Sequence, residues 1–206
     1  MDILFSIAIL IMSVVIHEVS HGYAAYSLGD PTAKYQGRLT LNPLPHIDPV
    51  GSILVPLFSF FLGGFIIGWA RPVPYNPYNL SNQKWGPAMV ATAGPASNIF
   101  IAVIFGLLIR FAGIIALPSA FVQVLFFVVF INILLAIFNL VPIPPLDGSK
   151  ILFSFLPYRF AHIQNFLEQW GFFLVVLFIF FLWRLIFPVI GAVFSLITGI
   201  SLYNFF

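Results

Sequence analysis

Long apolar blocks alternate with short polar, proline-rich pieces along the chain. The first block, residues 3 to 26, opens with an uncharged run from Ile3 to Ile16. Further blocks are Val50 to Ala70, Ala88 to Gly113, Ala120 to Leu140, Gln169 to Phe187 and Val189 to Tyr203. A membrane-spanning helix needs about 20 apolar residues, so each block predicts a helix at membrane depth. Val50 to Ala70 breaks the pattern, with Pro56 near its start and Gly63-Gly64 in its middle. Proline removes a helix donor and glycine permits a sharp turn, which suits a re-entrant or broken element as well as a kinked helix. Such backbone lies at membrane depth only where protein or a water-filled cavity satisfies it. The connecting pieces are too short for a separate soluble domain. Residues 1–206 therefore read as one membrane-embedded domain, and residues 156–206 as its C-terminal membrane helices. Met1-Asp2 offers no positive n-region, so residues 3 to 26 are expected to be a retained helix and not a signal peptide.

Composition strengthens this picture. Hydrophobic residues make up 61% of the 206 and charged residues 7%, against roughly 25% charged in a soluble domain. A soluble fold with this composition would have too little polar surface to present to water. The expectation is an all-α polytopic integral membrane protein in contact with the lipid bilayer. A net charge of +2 makes no case for nucleic acid, and the absence of cysteine excludes disulfides and thiolate metal ligands.

Against that apolar background "HEVSH", residues 17 to 21, stands out. His17 and His21 are four residues apart, on one helical face and one turn from each other. Two imidazoles so placed can hold one metal ion, while Glu18 can reach water there as a general base. This is the geometry of H-E-x-x-H zinc hydrolases. Ionisable groups at membrane depth cost a few kcal/mol each and normally mark function, although a polar helix–helix contact uses the same residues. A catalytic zinc typically has three protein ligands. Among the few other acids and histidines Asp147 is the best candidate, lying in "FNLVPIPPLDGSKIL" beyond a long apolar helix. An aspartate there is also a favoured helix N-cap.

"HEVSH" in the first membrane helix, "GPASN" at residues 94 to 98 and "NLVPIPPLDG" at residues 139 to 148 resemble, in order, the three core segments of the site-2 protease family of intramembrane metalloproteases. The pieces "GRLTLNPLPHIDPVG" and "PVPYNPYNL" resemble its short prokaryotic branch, without an appended PDZ or CBS domain. The likeness covers roughly residues 10 to 155. It implies that His17, His21 and Asp147 bind one zinc ion and that Glu18 activates water. It also implies that Asn139 positions substrate or stabilises an oxyanion, although an amide there can equally bond the free carbonyls at a helix C-terminus. Gly94 and Asn98 match a helix-packing motif. His46 and Asp48 suit a polar loop near the site or a turn.

Ligands must share one depth. His17 and His21 lie in the C-terminal half of the first helix and Asp147 follows the end of the Ala120 to Leu140 helix, so those helices are expected to be parallel. Ala88 to Gly113 supplies the one crossing needed between them, and Val50 to Ala70 must then dip and return. The prediction is about five spanning helices plus one re-entrant or broken element. Lys34, Arg38, Arg71, Lys84, Lys150 and Arg159 fall on the side where the metal motifs end, with Arg110 and Arg184 opposite. The positive-inside rule makes that side cytoplasmic and the N-terminus external, in a prokaryotic plasma membrane. The expected activity is zinc-dependent endoproteolysis of membrane-spanning substrates; a metal-binding transporter or channel would also place His and Asp at depth.

Overall fold

The computed structural model describes residues 3–55, 57, 58, 61 and 68–202, and among these every regular element is helical. The α-helices are α1 (Ile3–Ser27), α2 (Thr32–Tyr35), α3 (Gly86–Arg110), α4 (Ser119–Asn139), α5 (Asp147–Phe155), α6 (Ala161–Leu177) and α7 (Trp183–Thr198). Among the described residues four stretches are long and apolar enough to cross a membrane: Leu4–Ser27, Gly86–Arg110, Ser119–Asn139 and Ala161–Leu182. Arg184–Thr198 is a shorter apolar helix. Polarity is distributed as lipid demands. Leu4 is 76% exposed, Leu185 68% and Leu196 75%, whereas Asn98, Asn132 and Thr198 are fully buried. This is an integral multi-pass membrane protein.

The first, third and fourth blocks form helices close to where their hydropathy put them. The C-terminal pair differs. Hydropathy assigned Leu156 to Gln169 to a connection and began the next span at Gln169, but the helix starts at Ala161 and runs through the polar residues of that piece. Gln164 Nε2 donates to Glu168 Oε1 at 2.9 Å, a one-turn pair that helps a helix carry such residues. The following helix ends earlier than Tyr203, where Gly199 takes a left-handed φ of 75° that favours glycine.

Side-chain contacts fix the helix directions. Ser13 and His17 meet Asn98 while His21 meets Val90, so α3 runs antiparallel to α1. Ser13 meets Asn132 and His17 meets Asp147, so α4 runs parallel to α1, as the depth argument requires. At the far end Ala102, Ile109, Leu125, Val129, Ile190 and Phe194 pack α3, α4 and α7 into an apolar core. With no water to expel in lipid, close packing selects this arrangement.

The end of α1 and the start of α3 lie on one side, so the chain between them returns to where it left. Gly51 and Trp69, near the two ends of the Val50 to Ala70 block, are joined: Trp69 N–H donates to Gly51 O at 3.0 Å and Ser52 Oγ to Trp69 O at 2.8 Å. Val50–Leu54 forms a π-helical turn. Pro56 and Gly63-Gly64, on which the expected break rests, lie outside the described residues.

Two connections interlock on the ligand side. Asp30 is completely buried and accepts from Thr32 Oγ1 at 2.6 Å, Thr32 N at 3.2 Å, Asn76 N at 2.6 Å and Asn79 Nδ2 at 2.8 Å. Arg38 Nη2 donates to Arg71 O at 2.8 Å and Pro72 O at 3.3 Å, and Arg71 N–H to His46 O at 2.8 Å. Burial alone would raise the Asp30 carboxyl, but the donors from Thr32, Asn79 and Asn76 outweigh it and hold it below the ordinary carboxylate value. A depressed folded-state value gives stability that is present above the unfolded pKa of about 3.9 and lost as pH falls through the folded one. Hydrogen-exchange protection of the Asn76 amide is therefore expected at neutral pH and lost on acidification below about pH 4. Asp30→Ala should lower stability by about 2–3 kcal/mol at pH 7 by stranding these buried donors.

Candidate active site

His17, Glu18 and His21 project from the C-terminal half of α1, and Asp147 stands in the first turn of α5. Gly148 lets α5 begin directly against the end of α4, because a Cβ there would overlap Leu140 O and Val141 O. His17 Nε2 and His21 Nε2 are 3.0 Å apart, and each is 3.1 Å from Asp147 Oδ2. His17 and Asp147 are buried and the three form one compact group of potential metal donors.

Whether this group suits a cation can be decided from the other ring nitrogens. His17 Nδ1 lies 2.6 Å from Asn98 Oδ1, and His21 Nδ1 lies 2.7 Å from Val90 O. Both partners are acceptors, so both Nδ1 atoms carry the proton and a neutral imidazole has a bare Nε2. With both rings neutral, two nitrogen lone pairs and a carboxylate oxygen converge on one point, an arrangement that a cation placed among them satisfies. The separations are near the roughly 3.3 Å edge of a tetrahedron with bonds of about 2.0 Å, and the N, N, O set suits zinc. The space is guarded by Gly94, where a Cβ would collide with His21 Nε2 and His17 Nε2. "GPASN" thus does more than pack helices: its glycine keeps the donor set open and its asparagine orients a ring.

Glu18 takes no part in the triangle. Its Oε2 accepts from Val73 N–H at 2.8 Å, in the stretch braced by Asp30 and Arg38. Asp147 is not a helix cap, since the N-cap position belongs to Leu146 and the carboxylate serves the histidines, with Lys150 Nζ 3.8 Å from its Oδ1. Asn139 ends α4 with Nδ2 donating to Leu135 O at 2.9 Å. His46 and Asp48 stand outside the donor group. His46 is buried and its Nε2 donates to Thr40 O at 3.0 Å, while Asp48 Oδ1 accepts from Val50 N at 2.9 Å and Gly51 N at 2.6 Å as a turn residue. Sequence reasoning missed Ser13, Asn98 and Asn132 as neighbours of the site. Their signal was present: polar side chains at matching depth in three otherwise apolar spans.

A multi-pass membrane core that gathers two histidines and an aspartate behind an H-E-x-x-H helix defines a membrane metallopeptidase. The sequence profile of peptidase family M50 matches residues 108–182, which include Asn139 and Asp147. YwhC of Bacillus subtilis (strain 168), a protein named as a zinc metalloprotease, is 41% identical over 169 residues, 79% of this chain and 74% of its own length. Rip2 of Mycolicibacterium smegmatis, also named as a zinc metalloprotease, is 33% identical over 169 residues, 81% of this chain and 62% of its own. Rip2 of Mycobacterium tuberculosis (strain H37Rv) is 29% identical over 144 residues. No solved structure matches. The chain belongs to peptidase family M50, the site-2 protease family of zinc metalloproteases.

Proposed function

We propose that the protein is a zinc-dependent intramembrane endopeptidase that cuts membrane-spanning protein substrates, with one zinc ion per chain held by His17, His21 and Asp147. The observation that carries this reading is the triangle of two imidazole nitrogens and a carboxylate oxygen, gathered where apolar spans meet and flanked on α1 by a carboxylate that is not part of it. Zinc, when bound, supplies Lewis acidity that polarises a carbonyl and lowers the pKa of water toward about 7.

The chain's own groups do the rest. Val73 N–H holds Glu18 at Oε2, so the carboxylate is oriented before substrate arrives. Glu18 takes a proton from the attacking water and passes it to the leaving amine nitrogen. Asn139 Nδ2 spends one proton on Leu135 O and keeps a second for a substrate carbonyl. The substrate helix unwinds locally, because a hydrogen-bonded helix shields its carbonyls. The whole chain acts as one protease domain, and about five of its helices span, Arg184–Thr198 completing the count. Purified protein should cleave a model membrane-spanning substrate, lose that activity to a zinc chelator and regain it with added zinc; chelator-resistant cleavage would sink the reading.

Six basic residues on the ligand side support a cytoplasmic active site and an external N-terminus in a prokaryotic plasma membrane. The cysteine-free sequence gives a clean test. Tyr78 and Ile114 are each 82% exposed and lie on connections at opposite ends of α3. Tyr78→Cys should react with an impermeant thiol reagent only after the cytoplasmic face is opened, and Ile114→Cys in intact cells. The reverse pattern would invert the topology.

A further inference from the structure

Three residues outside the donor triangle form a polar chain between spans. Asn132, fully buried in α4, donates through Nδ2 to Val128 O at 2.8 Å and to Ser13 Oγ at 3.0 Å. With both protons used, its Oδ1 can only accept, and it does so from Asn98 Nδ2 at 2.8 Å. Asn98 Nδ2 gives its second proton to Ser13 O at 3.3 Å, which leaves Asn98 Oδ1 to face His17 Nδ1 at 2.6 Å.

Each amide could in principle be turned over. Turning Asn132 would set its oxygen against Val128 O, leave it only the Ser13 hydroxyl as a donor, and set its nitrogen against Asn98 Nδ2. Turning Asn98 as well would set its oxygen against Ser13 O, so the two backbone carbonyls, Val128 O and Ser13 O, are what fix the direction. In a low-dielectric interior a buried mismatch of this kind is costly, because neither group can turn to water instead. The chain therefore has one direction, running from the Val128 carbonyl through two amides to the ring. If these residues only glued helices together, any satisfied arrangement would serve.

We infer that Asn132 is a positioning residue that acts through Asn98, fixing His17 in the tautomer that carries its proton on Nδ1 and offers a bare Nε2. Asn98 touches the ring directly and Asn132 dictates which way Asn98 points. The inference rests on the zinc-site reading above for its purpose, but the tautomer can be observed without metal.

The test uses full-length metal-free protein in detergent micelles, with 15N-labelled histidine. Side-chain nitrogen shifts should show His17 of the wild type as the Nδ1–H form. Asn132→Leu, which keeps the branching at Cγ and removes both polar atoms, should give a mixture of tautomers. Zinc affinity measured by competition with a chromophoric chelator should fall about 10-fold for Asn132→Leu and up to about 100-fold for Asn98→Leu, the range found for outer partners of metal-binding histidines. Thr198→Val removes a buried hydroxyl that bonds Phe194 O at 2.8 Å in α7; it should lower thermal stability and leave tautomer and affinity unchanged. An Nε2–H tautomer in the wild type would overturn the inference even if no variant folds. So would unaltered tautomer and affinity in folded Asn132→Leu. Absence of zinc binding in the wild type, with the Nδ1–H tautomer present and lost in Asn132→Leu, would overturn the metal reading and uphold the positioning role.

Discussion

Glu18→Gln is expected to keep zinc content near one per chain while hydrolysis of a membrane substrate falls by roughly 10²–10⁴-fold, or further if no other base substitutes. The side chain keeps its size and can still accept from Val73 N–H through an amide oxygen, so the hold at 2.8 Å has a replacement. What is lost is the ability to take a proton. The contrast between retained metal and lost turnover separates a protease from a transporter, because a transport site has no use for a base that is not a ligand. Wild-type turnover by the variant with zinc in place would remove Glu18 from the mechanism. Zinc or proton flux through reconstituted wild type, with no cleavage, would favour the transport reading.

The combined substitution His17→Ala and His21→Ala should abolish both zinc binding and hydrolysis. Two of the three donors disappear, and Asp147 is left buried beside Lys150 alone. Metal analysis after exhaustive washing is the direct measurement, and unchanged zinc in the double variant would place the metal elsewhere. Zinc should raise the melting temperature of the wild type and leave that of the double variant unchanged, because only the wild type holds the ion. Thermal melts of both proteins with and without zinc check this.

The parts of this molecule written as local pattern were readable in the sequence. Spacing of four residues placed His17 and His21 together, the proline-rich stretch beyond an apolar helix and the family resemblance singled out Asp147, and a common depth for the three then made α1 and α4 parallel. Properties that depend on several segments at once were not readable. Nothing near Asn98 in the sequence says that its oxygen meets a ring 81 positions away, or that Asn132 decides its orientation. The helix from Ala161 was missed because hydropathy counts His162, Gln164, Asn165 and Glu168 as polar, whereas a helix needs only that such residues remain exposed or paired. Val73 was invisible as a partner of Glu18 because the contact uses its backbone, which side-chain identity does not report.

That backbone contact makes the loop behave like a key cut for one depth. Val73 lies between Pro72 and Pro74. A proline has no N–H, so a slip of the segment by one residue in either direction presents nothing for Glu18 to accept. Most hydrogen-bonded edges can re-form one notch along; this one cannot. A one-residue shift of the loop would therefore release the Glu18 carboxylate and not re-engage it in the neighbouring register.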